Sequence, residues 1–402
     1  MSVDSVSGVS GVSVWDNLVG QRHLIPILQT AATVSADDPE RRFGKGMTQS
    51  WLFTGPPGSG RSNAAMAFAA ALQCPHGGCG QCHECHTVLA GSHADVNLVR
   101  TEKLTLGVDE IRDLVRQSAL SPAGSRWQIL IVEDADRLTE QANNALLKAV
   151  EEPGARTVWM LCAPTVEDVL PTIRSRCRLV TLTTPTAPDV TAFLQRTLGV
   201  DEARAAYAAR ASQGHIGRAK ALARDDDTRR RREQVVSYPG RLTTLADALR
   251  AAGELAAVSK EEADAVTADL DAREKADLDA GYGVVDRGRR PREYGPALSA
   301  LEKDQKRRAT RRHRDVIDRG LMDLVSVYRD AITLAAGAPV TLVNEEHRRE
   351  IEQLVAASTP ELNLQRIGAI FEAREQLLEF NVQPQLVLEA MMVALLPPGG
   401  DQ

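Results

Sequence analysis

Two hydrophobic periods alternate along the first half of the chain. Short, nearly continuous apolar runs, "QSWLFTG" (Gln49–Gly55), "ADVNLVR", "RWQILIVEDAD", "TVWMLCAP" and "CRLVTLTT", have the length and texture of buried strands. Between them, apolar residues recur every three or four positions. "WDNLVGQRHLIPILQTAA" carries Leu24, Ile27 and Leu28 behind a capping candidate at Asp16 or Asn17, and "RSNAAMAFAAALQC" reads as a helix. "GVDEIRDLVRQSAL" puts Ile111, Leu114 and Val115 on one side, and "TEQANNALLKAVEEP" is closed by Pro153. Strands alternating with helices predict an α/β domain, a parallel doubly wound sheet with helices on both faces. After "TPTAP" (Thr184–Pro188) the strands stop and the helical period alone continues to Leu396. The pattern predicts an α/β domain over 14–183, a small helical domain over 184–234 and an all-α domain over 235–402. The last is interrupted by a charged insertion at about 260–314, acidic in "SKEEADAVTADLDAREKADLD", basic in "EKDQKRRATRRHRD" and loop-like between. Residues 1–13, rich in Ser, Gly and Val, read as a flexible leader.

Composition narrows the class. A chain of 402 residues exceeds one ordinary core, and 43% hydrophobic with 25% charged residues is the balance of a soluble globular protein. No apolar run approaches the length of a membrane span, and the first residues lack the basic start and apolar middle of a signal peptide. The expected location is cytoplasmic, without membrane contact. With a net charge of −6, nucleic acid would have to be met by a local patch and not by bulk charge.

The first chemical signal is "GPPGSGRS", Gly55 to Ser62, which follows a strand and opens a helix as a phosphate-binding loop does. Gly55, Gly58 and Gly60 let backbone N–H groups close round phosphate oxygens at a helix N-terminus, and Ser62 is placed to meet Mg²⁺. Arg61, however, stands where the motif has lysine, and its planar fork aims its donors differently. At the end of a later strand, "LIVEDAD" offers Glu133 and Asp134 as metal ligand and water-activating acid, in the reverse of the usual order. The blander readings are a glycine-rich turn and two solvated acids.

"CPHGGCGQCHEC" spaces Cys74, Cys79, Cys82 and Cys85 as C-x4-C-x2-C-x2-C. Four thiolates close a tetrahedron about zinc and leave no position for water, so the expected ion is structural. His76, His83 and His86 are spare donors. In "DVLPTIRSRCRLV", Arg174, Arg176 and Arg178 face outward, either as surface charge or as a cation given to a neighbouring subunit's γ-phosphate.

"VWDNLVGQ", "GPPGSGRS", the four cysteines after the loop helix, "GVDEIRDLV", "NALLKAVEEP" and "LPTIRSRC" follow one another in an order that resembles bacterial clamp-loader subunits of the AAA+ class. The resemblance covers about residues 14–224; the C-terminal half is similar only in being a helical collar. It implies a P-loop domain at 14–183 with a zinc module at 74–85, a lid at 184–234 and a collar from 235. It also implies a pentamer with gamma/tau and delta subunits, which uses ATP to open a sliding clamp and close it on primer-template DNA in replication. By position, Arg176 would be the arginine finger serving an adjacent ATPase subunit. Cys74, Cys79, Cys82 and Cys85 would be the zinc ligands, "LVGQ" would border adenine, and Arg112 and Arg116 would face DNA.

The same resemblance exposes departures. Besides Arg61 and the reversed Glu133–Asp134, Ala163–Pro164 stands near an expected polar sensor, and Gly217 falls on a sensor arginine, with Arg218 displaced by one. Together they imply a stator that holds ATP and Mg²⁺ weakly and does not turn ATP over. The alternative is an active ATPase of gamma/tau type. A third class, a nucleic-acid-binding zinc module, is disfavoured because Cys74–Cys85 contains no lysine or arginine. The basic run Lys303–Arg314 is a better nucleic-acid candidate, though pairing with the acidic segment 261–279 is the simpler expectation.

Overall fold

In the computed structural model, residues 13–37, 46–100, 105–124, 126–282, 291–378 and 382–397 are described. The leader lies outside them except for Ser13, as does 283–290 of the charged insertion. The five apolar runs form β1 (Ser50–Thr54), β2 (Val96–Val99), β3 (Gln128–Val132), β4 (Thr157–Ala163) and β5 (Arg178–Thr181). All pair in parallel, in the order β2-β3-β4-β1-β5. β1, β3 and β4 are buried at every residue, which is why they read as unbroken apolar runs.

Alternate residues serve opposite faces. Trp51, Phe53, Ile129, Ile131, Met160 and Cys162 pack under α1 (Ile25–Asp37), α2 (Arg61–Gln73) and α3 (His83–Leu89). Leu52, Leu130, Val132, Trp159 and Leu161 pack under α4 (Val108–Ser118), α5 (Glu140–Glu151) and α6 (Pro171–Arg174). The chain leaves β1 for the far edge and returns to its other side as β5. The loop after β1 therefore opens at a topological switch point, where sheets of this kind form ligand pockets.

The capping expectation at Asp16 or Asn17 is corrected. Those residues close a 3-10 turn, Val14–Asn17, capped by Ser13, and the helix proper begins at Ile25. Beyond the sheet, α7 (Ala187–Leu198), α8 (Glu202–Ser212) and α9 (Ile216–Arg224) enclose their own core of Val190, Phe193, Leu194, Ala208 and Leu222, into which Val19 reaches.

By internal contacts the chain divides into Met1–Arg224 and Asp225–Gln402. The division comes about ten residues before the expected 234. The reason is α10 (Asp226–Arg241), which runs unbroken through that position and buries Arg232, Val235 and Tyr238 in the second unit. There it joins α11 (Leu245–Gly281), α12 (Tyr294–Ala335), α13 (Arg348–Ala357), α14 (Pro360–Leu378) and α15 (Pro384–Ala394). The charged stretch is no interruption among its described residues, because α11 and α12 carry it as two continuous helices. No helix of the described residues is long and apolar enough to cross a membrane.

The second unit also encloses a polar cluster. Arg232, with its side chain 2% exposed, donates from Nε to Asp323 at 3.1 Å and from Nη2 to the Asn344 side chain. Asn344 in turn donates its backbone N–H and its amide to Asp330, each at 2.8 Å.

Candidate functional site

β1 delivers the chain to the glycine loop, and the loop delivers it to α2. Gly60 caps α2 at φ 94, in the left-handed region that a side chain disfavours. Gly58, at φ 82, is needed for a second reason: a Cβ there would fall 2.3 Å from Cγ of His215. Gly55 donates its N–H to the Pro164 carbonyl at 3.1 Å, which ties the loop to the end of β4. Arg61 does not extend from the loop. Its Nη1 donates to the Gly55 carbonyl at 2.6 Å, so the guanidinium folds back onto the backbone that precedes the helix. Ser62 is half-buried in the first turn of α2.

The acids stand beside this loop's sheet, at the end of β3. Glu133 is buried, and both its oxygens are taken by Arg100, Nε at 2.5 Å and Nη2 at 3.1 Å. Such a bidentate pair is among the strongest charge-assisted contacts a carboxylate makes. The β2–β3 register sets it up by pairing Val99 with Val132, one residue before each partner. Arg100 was not among the residues singled out from sequence. Asp134 is half-buried and precedes a 3-10 turn, Ala135–Arg137. Ala163 ends β4 and, with Pro164, brings no polar side chain to the position expected of a sensor. Burial pushes the Cys162 thiol up, so that neighbour is an inert filler.

The second residue that sequence reasoning missed is His215. Gly214, at φ 86, turns the chain into α9, where the His215 ring lies against Gly58 and the Ile216 N–H donates to the Gly58 carbonyl at 3.3 Å. The helical domain thus meets the glycine loop through a histidine just ahead of Gly217. Arg218 donates its backbone N–H to Nδ1 of His215 at 3.2 Å. The only signal in the sequence was a histidine at a helix start behind a glycine. In "LVGQ", Gln21 is buried and bonds both ways with the Thr183 backbone, at 2.7 and 3.1 Å, which ties it to the strand–lid junction.

The three arginines of "IRSRCR" separate in role. Arg178 turns inward to the Gly46 carbonyl and lies 5.1 Å from the Trp51 ring centre. Arg174 ends α6 and is half-buried. Arg176 is exposed, held by the Thr172 carbonyl at 2.7 Å and Glu151 at 2.8 Å. Arg112 and Arg116 share the exposed face of α4 and pair with Asp109 and Asp113.

The four cysteines converge. Their sulfurs lie within 4.8 Å of one another, with Cys74 at 3.7 Å from Cys79 and 3.6 Å from Cys82. A tetrahedral ion with thiolate bonds of about 2.3 Å requires edges of about 3.8 Å, so these residues fit a metal. His76, His83 and His86 are exposed and outside the cluster. Burial opposes ionisation of Cys74, but the backbone N–H groups of Cys79, Gly78 and His76 outweigh it and bring its thiol down to about 7. Burial pushes Cys82 and Cys85 up.

The knuckle also grips the N-terminal segment. Val14 N–H and Ser13 Oγ donate to the Gly78 carbonyl at 3.2 and 3.0 Å, and Trp15 Nε1 donates to Gly77 at 3.2 Å. With an ion held by these four sulfurs, its removal by a chelator is expected to free this segment. Amide exchange over Val14–Leu18 should accelerate while the sheet stays protected, and acid should promote the loss because the ligands are thiolates. Unchanged protection in metal-free protein would show that the grip does not depend on the ion.

The family described as "DNA polymerase III, delta subunit" matches residues 42–186, and its C-terminal counterpart matches 318–396, together more than half of the chain. The chain belongs to the AAA+ clamp-loader subunits of DNA polymerase III. The first match contains the glycine loop, the cysteines, the acids and Arg176. DNA polymerase III subunit delta' of Escherichia coli is 35% identical over 177 residues, 42% of this chain and 53% of that protein. Subunit tau of Bacillus subtilis is 28% identical over 262 residues, 63% of this chain and 43% of that protein. The chain thus spans about half the length of the curated relatives it matches. Among solved structures, RuvB of Thermotoga maritima aligns at 17% identity with a TM-score of 0.38, over 56% of this chain and 66% of that one.

Proposed function

We propose that the chain acts as the delta-prime-type stator of a DNA polymerase III clamp loader. In this reading it assembles with gamma/tau and delta subunits and helps place a sliding clamp on primed DNA. Arg176 serves as an arginine finger for the neighbouring ATPase subunit. The observation that carries the reading is the internal neutralisation of the chain's own phosphate site. Arg61 is spent on the Gly55 carbonyl and Glu133 on Arg100, while Arg176 stays exposed. A loop so arranged has given its cation to its own backbone and its metal-binding acid to a guanidinium, and catalysis is sensitive to misplacement of such groups. Zinc held by Cys74, Cys79, Cys82 and Cys85 is structural in this account, since four thiolates leave no open position.

The match to tau favours a second reading, an active ATPase of gamma/tau type. The two are separated by hydrolysis measurements on the purified chain, alone and as Arg61→Lys. The stator reading expects no turnover in either, because restoring the lysine leaves Glu133 paired with Arg100. Turnover that Glu133→Ala abolishes would establish the active type instead.

A further inference from the structure

The side chain of Arg176 is open to water, yet its guanidinium is held from two sides. On one side Nη1 donates to the Thr172 carbonyl within α6 at 2.7 Å and to Ser175 Oγ at 3.2 Å. On the other, Nη2 meets Oε1 of Glu151, the last residue of α5, at 2.8 Å. Among the described residues none accepts from Nε. The head of the side chain is therefore fixed by three contacts while its Nε–H stays open.

The acid among these contacts stands where helix electrostatics disfavours it. The last turn of a helix ends in unpaired carbonyls with a partial negative charge, which suits cations and repels carboxylates. Position 151 nonetheless carries glutamate, with Glu152 and Pro153 closing the helix behind it. A carboxylate there needs a cation, and the ordinary source is a neighbour one turn back on the same helix. Lys148 occupies that place, but among the described residues Glu151 forms no ion pair with it and reaches across to Arg176 instead. The pair adds little stability, because both side chains are more than a third exposed and water screens them. What it supplies is direction.

We propose that Glu151 is a positioning residue for Arg176, holding the guanidinium in the pose in which it meets the neighbouring subunit's γ-phosphate. The proposal rests on the finger role given to Arg176 above. A long side chain open to water samples many rotamers, and few of them aim its head at one point. With Nη1 and Nη2 anchored, that freedom is lost when the chain folds and not during hydrolysis. Charge ordered in advance in this way is what stabilises a transition state. Glu151 touches no phosphate in this account. It acts on the reaction only through Arg176, so its effect must vanish when Arg176 is absent.

The test is a double-mutant cycle on ATP hydrolysis by the assembled loader with clamp and primed DNA. Glu151→Ala and Glu151→Gln are each measured in the wild-type and in the Arg176→Ala background. Position 151 is exposed, circular dichroism establishes that the variants fold, and size-exclusion chromatography establishes that they assemble. Glu151→Ala is expected to lower kcat about 3-fold or more, with KM for ATP within about twofold, since a misplaced catalytic group costs turnover. Glu151→Gln, which keeps an oxygen acceptor, should lose less. In the Arg176→Ala background neither change should lower the rate further, because residues that act as a unit are not additive. A wild-type kcat in Glu151→Ala, while Arg176→Ala is slow, overturns the proposal and leaves the finger standing. An equal loss from Glu151→Ala in both backgrounds also overturns it, since Glu151 then acts by another route. If Arg176→Ala itself costs nothing, the finger reading fails and the role of Glu151 goes with it.

Discussion

Arg176→Ala is expected to lower the ATPase rate of the assembled loader, with clamp and primed DNA present, by about 10-fold or more, the low side of what a finger supplies. Tenfold corresponds to about 1.4 kcal/mol of transition-state stabilisation. The geometry suits the role. Arg176 is tethered by the Thr172 carbonyl and Glu151 yet keeps its side chain 41% exposed, so it is oriented before any phosphate arrives. Arg176→Lys should also be impaired, since lysine keeps the charge and loses the planar fork. Assembly is monitored in parallel, because a subunit that no longer joins would lower the rate for another reason. A rate within about twofold of wild type in an intact complex would remove Arg176 from the catalytic account.

Arg232→Ala is the larger expected loss in stability, about 3–5 kcal/mol, because it strands buried partners. Asp323 would keep a charge with its side chain 5% exposed and no guanidinium opposite, and the Asn344 side-chain oxygen would lose its donor. Replacing both ends of the pair with apolar residues, Arg232→Met with Asp323→Leu, should recover part of the loss, since neither end of that ion pair is then stranded while Asp330 keeps the N–H groups of Asn344. The two units allow a clean reading. All four tryptophans, Trp15, Trp51, Trp127 and Trp159, belong to the first unit, so their fluorescence reports it alone. The helical signal in circular dichroism should show an earlier transition in denaturant while the tryptophan transition stays in place. Coincident, unshifted transitions would mean that the Arg232 cluster contributes little.

The sheet was legible because its three inner strands, β1, β3 and β4, are covered on both faces, which leaves nearly unbroken apolar runs such as "WLF" and "QILIV" that few other contexts demand. The cysteine cluster was legible because its ligands are close in sequence and chemically unusual. What escaped depended on contacts between segments distant in sequence. Arg100 looks like any strand-end arginine until the β2–β3 register sets it opposite Glu133, 33 residues on. His215 meets Gly58 only after the helices of 187–224 have folded against the loop. Arg178 sits two residues from Arg176 with the same side chain, and only packing against Trp51 distinguishes them. The limit expected at 234 falls inside α10, because the charged first turns of that helix hide in the sequence that they belong to one element with Val235 and Tyr238.

The contact between His215 and Gly58 has a further consequence. The ring occupies the space that a side chain at Gly58 would need, and the Ile216 N–H holds the Gly58 carbonyl, so the glycine loop and the first turn of α9 are braced against each other at this point. Any residue larger than glycine at Gly58 would therefore be felt twice, as backbone strain in the loop at φ 82 and as displacement of the helix that follows His215.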